Sequence, residues 1–585
     1  MPSSTPDAPT AGPARDLAAP RAPLPTRVFD LGARLVHRML ARSCGLGVVV
    51  AALFYVASNT PSLLPRPWWL QGVVAAVCAL LGYGVGYLLD LVRRGIVHWT
   101  GLRVIMIRSR ARVLIGAAAG LVLLGVMAFP FLTIAWQQYV TSYVGLSAPG
   151  LWYPVGSTLV ALAVFAVSIA LWRLVTAFLR WLLARVESRI VREAVARAVA
   201  GALALATAVL AVEFLNPIVQ GAIQGQAARV NATQPAGHVA PTSPLRSGGP
   251  GSPWSWDSLG QDGAIFVSSG PDARGVQAVT GRAAKEPIRV FVGVGAPLEQ
   301  TRDAVLAELD RTRAWERRSI LVTTATSTGY INTWGAASFE YLLDGDTAIA
   351  SMAYSDLPSA FGLLMAGEDP PRSARLLLDG VRARVAALPE GHRPKIYVTG
   401  ESLGAYGSDG GFADVEQMLA QVDGAVWSGT PTFAPNRQRF TDARQPGSTT
   451  IVPVIDNGRH VRFAGHGDAL WVDEYDRRLG AWAHPRLVYL QHPSDPVAWW
   501  SMDLLFTSPA WLRETRTNTP MAQMSWTPLV TFWQVSADML VSNNVPGGFG
   551  HRYYGADMVP AWAAVLGDGR SARQLDPIID AVGRS

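Results

Sequence analysis

Apolar positions take two textures along this chain. Up to about residue 216 they form long, nearly uncharged runs, whereas beyond it they fall into short β-branched clusters separated by mixed stretches of helical period. Five of the early runs, at 43 to 63, 68 to 92, 113 to 135, 151 to 172 and 198 to 215, are long enough to span a bilayer. About 20 residues rising 1.5 Å each cross a hydrocarbon layer of roughly 30 Å. Asn59-Thr60-Pro61 breaks the first run and the last is short and Ala-rich, so a buried hairpin is the competing reading for those two.

The later texture predicts strands near 288 to 294, 319 to 325, 347 to 353, 395 to 401, 423 to 428, 449 to 455 and 486 to 491, with helices at 299 to 316, 371 to 388 and 403 to 421 between them. Short β-branched runs alternating with amphipathic helices make a mainly parallel sheet covered on both faces. The expected organisation is a disordered tail at 1 to 42, a transmembrane helical bundle at 43 to 216, a Pro/Gly/Ser linker at 217 to 253 and a parallel α/β domain at 254 to 585. A linker of that composition would hold the domain flexibly within about 35 Å of the bilayer by random-coil scaling.

Charge sharpens this picture. Residues 1 to 225 hold 19 of the 50 basic residues, all Arg, but only 7 of the 43 acidic ones. The net charge of +7 thus belongs to the apolar half, and the rest has a small acidic excess without a basic stripe, which argues against nucleic acid as a partner. Arginines crowd the tail (Arg15 to Arg42), the loop from Arg93 to Arg112 and the loop from Arg173 to Arg197, whereas the connection after the first run has only Arg66 and the stretch 137 to 150 has none. Positive charge stays cytoplasmic, so an odd number of spans puts the later domain on the outer face, with Trp68, Trp69, Trp136 and Trp152 as an interfacial belt. The spans carry few ionisable residues, which counts against a transporter with a regulatory domain. Both cysteines, Cys44 and Cys78, lie in the apolar half, so a thiol nucleophile, thiolate ligand or disulfide is excluded beyond it.

The chemistry centres on Gly400-Glu401-Ser402-Leu403-Gly404, directly after the apolar run 395 to 399. A serine forced through a sharp strand-to-helix turn needs glycines two positions either side, where any side chain would meet the neighbouring strand or helix. Gly404, Gly407, Gly410 and Gly411 weaken the following helix by about 1 kcal/mol each, which reads as close packing or equally as an irregular turn. A hydroxyl becomes a nucleophile when an imidazole takes its proton and a carboxylate fixes the imidazole tautomer. In the order serine, acid, histidine, Asp495 after the run 486 to 491 leads for the acid, ahead of Asp456 and Asp468. His551, in the glycine-rich loop 547 to 551, leads for the base, ahead of His466. The oxyanion donors expected are the N–H of Leu403 and one from the loop 326 to 332, Gly329 or Tyr330. A metal site of His466, Asp468 and His492 has no recognised ligand spacing, and no metal or cofactor is expected.

Several segments carry a family resemblance: Trp256-Asp257-Ser258-Leu259-Gly260, Tyr354-Ser355-Asp356-Leu357-Pro358-Ser359, Gly400-Glu401-Ser402-Leu403-Gly404, His492-Pro493-Ser494-Asp495-Pro496 and Gly550-His551-Arg552-Tyr553. The chain resembles actinobacterial-type multi-pass membrane proteins with a C-terminal α/β-hydrolase domain. That resemblance implies Ser402, Asp495 and His551 as a catalytic triad. Asp356 departs from it, because Tyr is more usual there in the family, so that neighbourhood is expected to bind a different group. Some relatives look like lipid esterases acting on aminoacylated phosphatidylglycerol.

The expectation is a membrane-anchored serine hydrolase acting on a lipid or cell-envelope ester, with the membrane as its other partner. The alternative is an α/β-hydrolase scaffold serving as a non-catalytic envelope receptor or assembly factor.

Overall fold

The computed structural model describes residues 44–100, 120, 124–187, 233–355, 367–514 and 519–584. Among the described residues the leading helices include α1 (Gly45–Ser58), α2 (Trp68–Thr100), α3 (Ile134–Tyr143) and α4 (Trp152–Glu187). α1 and α2 meet closely because glycine faces backbone: a Cβ on Gly86 would lie 2.6 Å from the Gly47 Cα. Small residues at such crossings are what let helices approach without a hydrophobic drive. Among the described residues two stretches are long and apolar enough to cross a membrane, Trp68–Val97 and Trp152–Leu174. The five-span bundle is therefore met only in part. α1 has 14 residues, the run 113 to 135 is described mainly from 124 onward, and both the run 198 to 215 and the tail lie outside the described residues.

Among its described residues the later half folds around seven strands: β1 (Ile288–Val292), β2 (Ser319–Thr324), β3 (Thr347–Met352), β4 (Lys395–Glu401), β5 (Gly424–Ser428), β6 (Val461–Ala464) and β7 (Arg486–Leu490). Their order is β1-β3-β2-β4-β5-β7-β6, and every pairing is parallel. Both faces are covered, which is why the strands read as continuous apolar runs without alternation. One core, holding Phe291, Phe339, Tyr397 and Trp562, packs under α6 (Thr333–Leu342) and α10 (Gly555–Leu566). The other, holding Val290, Val322, Trp427 and Tyr489, packs under α5 (Leu298–Arg311), α7 (Asp369–Ala386) and α8 (Leu403–Gly410).

Three expectations fail here for identifiable reasons. The stretch 449 to 455 is not a strand: Pro453 removes a ladder donor, and the Thr450 and Val452 amides are taken by the side chains of Glu514 and Thr449. The strand of that region is β6 instead. The expected helix 403 to 421 is two helices, α8 and Val415–Gln421, divided at Gly410-Gly411 and restarted by the Asp414 side chain accepting from the Gln417 amide at 2.8 Å. The flexible linker also fails wherever it is described. Ser247 N and Leu245 O bond the backbone of Arg289 in β1, and the Arg246 guanidinium donates to the carbonyls of Val267, Ser269 and Pro271 at 3.1, 2.6 and 2.8 Å.

Instead of hanging from a tether, the sheet domain rests on the helical half. The segment between α1 and α2 enters it directly, with Leu63 buried among Trp499, Trp511 and Val535 and Leu64 among Val530, Val541 and Val545. Asp538, in α9 (Val530–Met539), accepts from the Leu63 amide at 3.0 Å and from the Ser62 hydroxyl, and pairs with Arg66 at 3.3 Å with both side chains buried.

Candidate active site

Ser402 occupies the one-residue turn between β4 and α8 with φ 59° and ψ −123°. A non-glycine residue held there stores about 1–3 kcal/mol of strain and persists only where surroundings over-determine it. They do: a Cβ on Gly400 would lie 2.4 Å from the Gly404 carbonyl carbon, and one on Gly404 would lie 2.3 Å from Thr324 O. Ser402 is half-buried and its amide donates to Ser428 O at 3.0 Å, fixing the turn against the end of β5. Leu403 is the first residue of α8, so its N–H has no acceptor within the helix.

The same end of the sheet gathers two further groups. Asp495 lies fully buried after β7; its Oδ1 accepts from the Val497 amide at 2.9 Å, and its Oδ2 accepts from His551 Nδ1 at 2.8 Å and from the Tyr553 hydroxyl at 2.8 Å. The His551 ring lies against Gly429, where a Cβ would sit 2.4 Å from its Cε1. Gly429 directly follows Ser428, the residue whose carbonyl receives the Ser402 amide. Imidazole and serine are thereby brought to the carboxyl ends of adjacent strands. His551 Nε2 is buried without a hydrogen-bond partner among the described residues. Burial pushes the pKa of His551 down, but the negative charge of Asp495 and then of Glu401 outweighs it, and the net shift is upward. An imidazole whose Nδ1 proton is held by a carboxylate presents the Nε2 lone pair, the form that accepts a proton from a hydroxyl.

Beneath the turn lies a group that the motif did not reveal. Glu401 is buried and accepts from the Tyr330 hydroxyl at 3.2 Å, from the Ser428 hydroxyl at 3.2 Å and from the Asn332 amide, whose same nitrogen reaches Tyr553 O at 2.9 Å. Burial raises its pKa against those donors and the nearby His551. As one of the unspecified positions of a Gly-x-Ser-x-Gly pattern, it carried no signal in sequence.

Other expected residues fall differently. The Gly329 N–H donates to Thr326 O at 2.7 Å, so it is spent on the loop. Asp456 and Asp468 are exposed, and the carboxylate on His551 Nδ1 is that of Asp495. His466 faces Asp557 at 3.5 Å, and His492 faces the same carboxylate at 3.3 Å while stacking on Tyr553. Burial would raise the Asp557 carboxyl, yet the two imidazoles hold it well below the usual carboxylate range. Asp356 lies outside the described residues.

Residues 288–576 match the Alpha/beta-hydrolase family, and residues 60–271 match the description Alpha/beta-hydrolase family N-terminus. The chain belongs to this alpha/beta-hydrolase family. The N-terminal match spans α2 to α4 and runs past residues 245 to 247, which bind β1, so the two matches together take in both halves of the chain. A comparison with curated proteins found no match. Among solved structures, a Trichoderma reesei cutinase in complex with a phosphonate inhibitor is 10% identical over 42% of this chain and 87% of its own, with a TM-score of 0.18.

Proposed function

We propose that this alpha/beta-hydrolase is a membrane-anchored serine esterase or acyltransferase acting on an amphiphilic ester. Ser402 attacks the carbonyl, His551 Nε2 takes its proton and returns it to the leaving alcohol, and Asp495 holds the imidazole tautomer through Nδ1. The N–H groups of Leu403 and Tyr330 face the developing oxyanion. The observation that carries this reading is His551 itself: one ring nitrogen is fixed on Asp495 at 2.8 Å and the other is buried without a partner beside the strained serine turn.

Anchoring rests on the two long apolar helices and on their exposed side chains, among them Leu88, Val92, Leu159 and Val167. An outer-face location draws support from Arg66. The segment 59 to 67 and the hydrolase domain are in contact, so they share one side of any membrane, opposite the Arg-rich loops. A lipid or envelope ester fits that placement, because Phe549 beside His551 meets Tyr143 of α3 edge to face at 5.4 Å and Gly550 abuts Leu64.

The test is labelling of the full-length protein in detergent by a fluorophosphonate probe, together with turnover of short p-nitrophenyl esters. Wild-type protein should label and turn over, and Ser402→Ala should do neither. Equal labelling of both refutes the nucleophile, and a folded wild type that neither labels nor turns over identifies a non-catalytic scaffold.

A further inference from the structure

Behind the His551 loop, three ligand-type side chains converge from three separate segments. His466 comes from the loop after β6, His492 from the loop after β7 and Asp557 from the first turn of α10, and their ligand atoms all lie within 4.8 Å of one another. His492 and Asp557 are buried, whereas the His466 side chain is about half exposed, at 45%.

Two features separate this cluster from an ordinary ion pair. The first is the tautomer. His492 Nδ1 lies 2.9 Å from Gly550 O, a group that can only accept, so one proton is on Nδ1 and Nε2 is the nitrogen that faces the Asp557 carboxylate, a donor to it when the ring is protonated and a free lone pair when the ring is neutral. A histidine that donates one nitrogen to a backbone carbonyl is oriented as metal-binding histidines are. The second is distance. His492 Nε2 and His466 Nδ1 stand 3.3 and 3.5 Å from the two oxygens of Asp557, longer than the about 2.7–2.9 Å of a charge-assisted hydrogen bond. Each distance is close to the edge of a tetrahedron of ligands around zinc, about 3.4 Å for bonds of about 2.0–2.1 Å, and because they run to different oxygens the carboxylate has to turn for one oxygen to serve both edges.

The surrounding backbone is shaped to hold this approach. A Cβ on Gly467 would lie 1.9 Å from Asp557 O, so only glycine lets the 465–467 loop bring His466 down onto the first turn of α10. The imidazoles of His466 and His492 lie with their centroids 5.3 Å apart and their planes tilted by 37°, and His466 is the half-exposed ring of the two.

We propose that His466 Nδ1, His492 Nε2 and one oxygen of Asp557 bind a divalent cation of the zinc class, with water as the fourth ligand from the exposed side of His466. Two imidazoles and a carboxylate suit a borderline cation and disfavour calcium or magnesium, which take oxygen ligands. Binding uses neutral imidazoles and an ionised carboxylate, and any proton held between His492 and Asp557 leaves to solvent. The site differs from the set His466, Asp468 and His492 considered from sequence, because Asp468 points outward and Asp557, some 90 positions later, takes its place. Its role is structural: the Gly550 carbonyl on His492 Nδ1 ties the metal to the loop that carries His551.

The test uses full-length protein in detergent, stripped with a chelator and titrated with zinc against a chromophoric competitor, with cobalt(II) as a spectroscopic substitute. Wild type should take up one equivalent of zinc, show tetrahedral cobalt bands in the visible and gain thermal stability. His466→Ala, at a half-exposed position, and Asp557→Asn, which keeps the side-chain shape, should each bind zinc at least tenfold more weakly while circular dichroism shows them folded. A wild type that binds no zinc overturns the proposal, as does zinc binding unchanged in either variant.

Discussion

Tyr553 and His551 donate to the same oxygen: the phenol and the imidazole Nδ1 each lie 2.8 Å from Asp495 Oδ2. The phenol in turn accepts from the His492 amide at 3.0 Å, so its direction is fixed from behind. Asp495 therefore holds His551 with an oxygen that is itself held, and two residues apart in sequence the chain supplies both donors.

Tyr553→Phe should separate positioning from the chemistry. A hydrogen bond to a charged group contributes about 1.5–3 kcal/mol, so losing this one should lower kcat/KM by on the order of ten- to a hundredfold. The less stabilised carboxylate holds the imidazolium more strongly, which moves the acid limb of the pH–rate profile to higher pH. Fluorophosphonate labelling should persist at a reduced rate. An unaltered pH profile with full activity would remove Tyr553 from any role at the site.

Glu401 makes the opposite prediction. His551 must be neutral to accept a proton, and its pKa is raised, so activity should fall as pH drops through a value above the ordinary 6.5. Glu401 contributes to that upward shift. Glu401→Gln removes the charge and keeps the shape, so the acid limb of kcat/KM should move to lower pH. Profiles from pH 5 to 9 on a short ester measure this, and a limb that stays put or rises contradicts the electrostatic link.

Much of the sheet was legible because parallel strands buried on both faces must be apolar throughout, and the strand-turn-helix frame of Ser402 follows from its glycines. What escaped had physical reasons. β6 was hidden by Arg462, which interrupts the run Val461-Arg462-Phe463-Ala464. Its guanidinium is nevertheless buried, 4.3 Å from the Trp482 ring and bonded to the carbonyls of Gly458, Leu470 and Gly480. The strap at 243 to 247 has the composition of a linker, yet a single arginine pins it. Asp557, Tyr553 and Asn332 belong to contacts between segments far apart in sequence, which no local pattern records.

Gly404→Ala tests the packing that forces the turn. The added methyl would stand 2.3 Å from Thr324 O, a backbone atom of β2 that cannot yield without disturbing the sheet. Overpacking of this kind costs about 1–3 kcal/mol or more. A lower thermal midpoint should be accompanied by loss of probe labelling, because α8 must move and carries the Leu403 N–H with it. A variant of native stability and full labelling would mean the glycine is not required there.

Arg66→Ala tests whether the helical half braces the hydrolase. Asp538 is fully buried, and removing its ion partner leaves a lone charge, a change that costs about 3–5 kcal/mol. Burial raises the Asp538 pKa to about 6, with Arg66, Ser62 and the Leu63 amide pulling the other way. A carboxyl whose folded pKa lies above its unfolded value contributes stability below the unfolded value, and that contribution is lost as pH rises through the folded one. The docking contact should thus weaken between about pH 4 and pH 6 in the wild type. In Arg66→Ala the loss should extend to higher pH, because the group that lowers the pKa is gone. Asp538→Asn, which cannot ionise, should show no such dependence. Thermal midpoints of the three proteins in detergent across pH 4 to 8 decide the matter, and parallel curves would show that Asp538 does not titrate with docking.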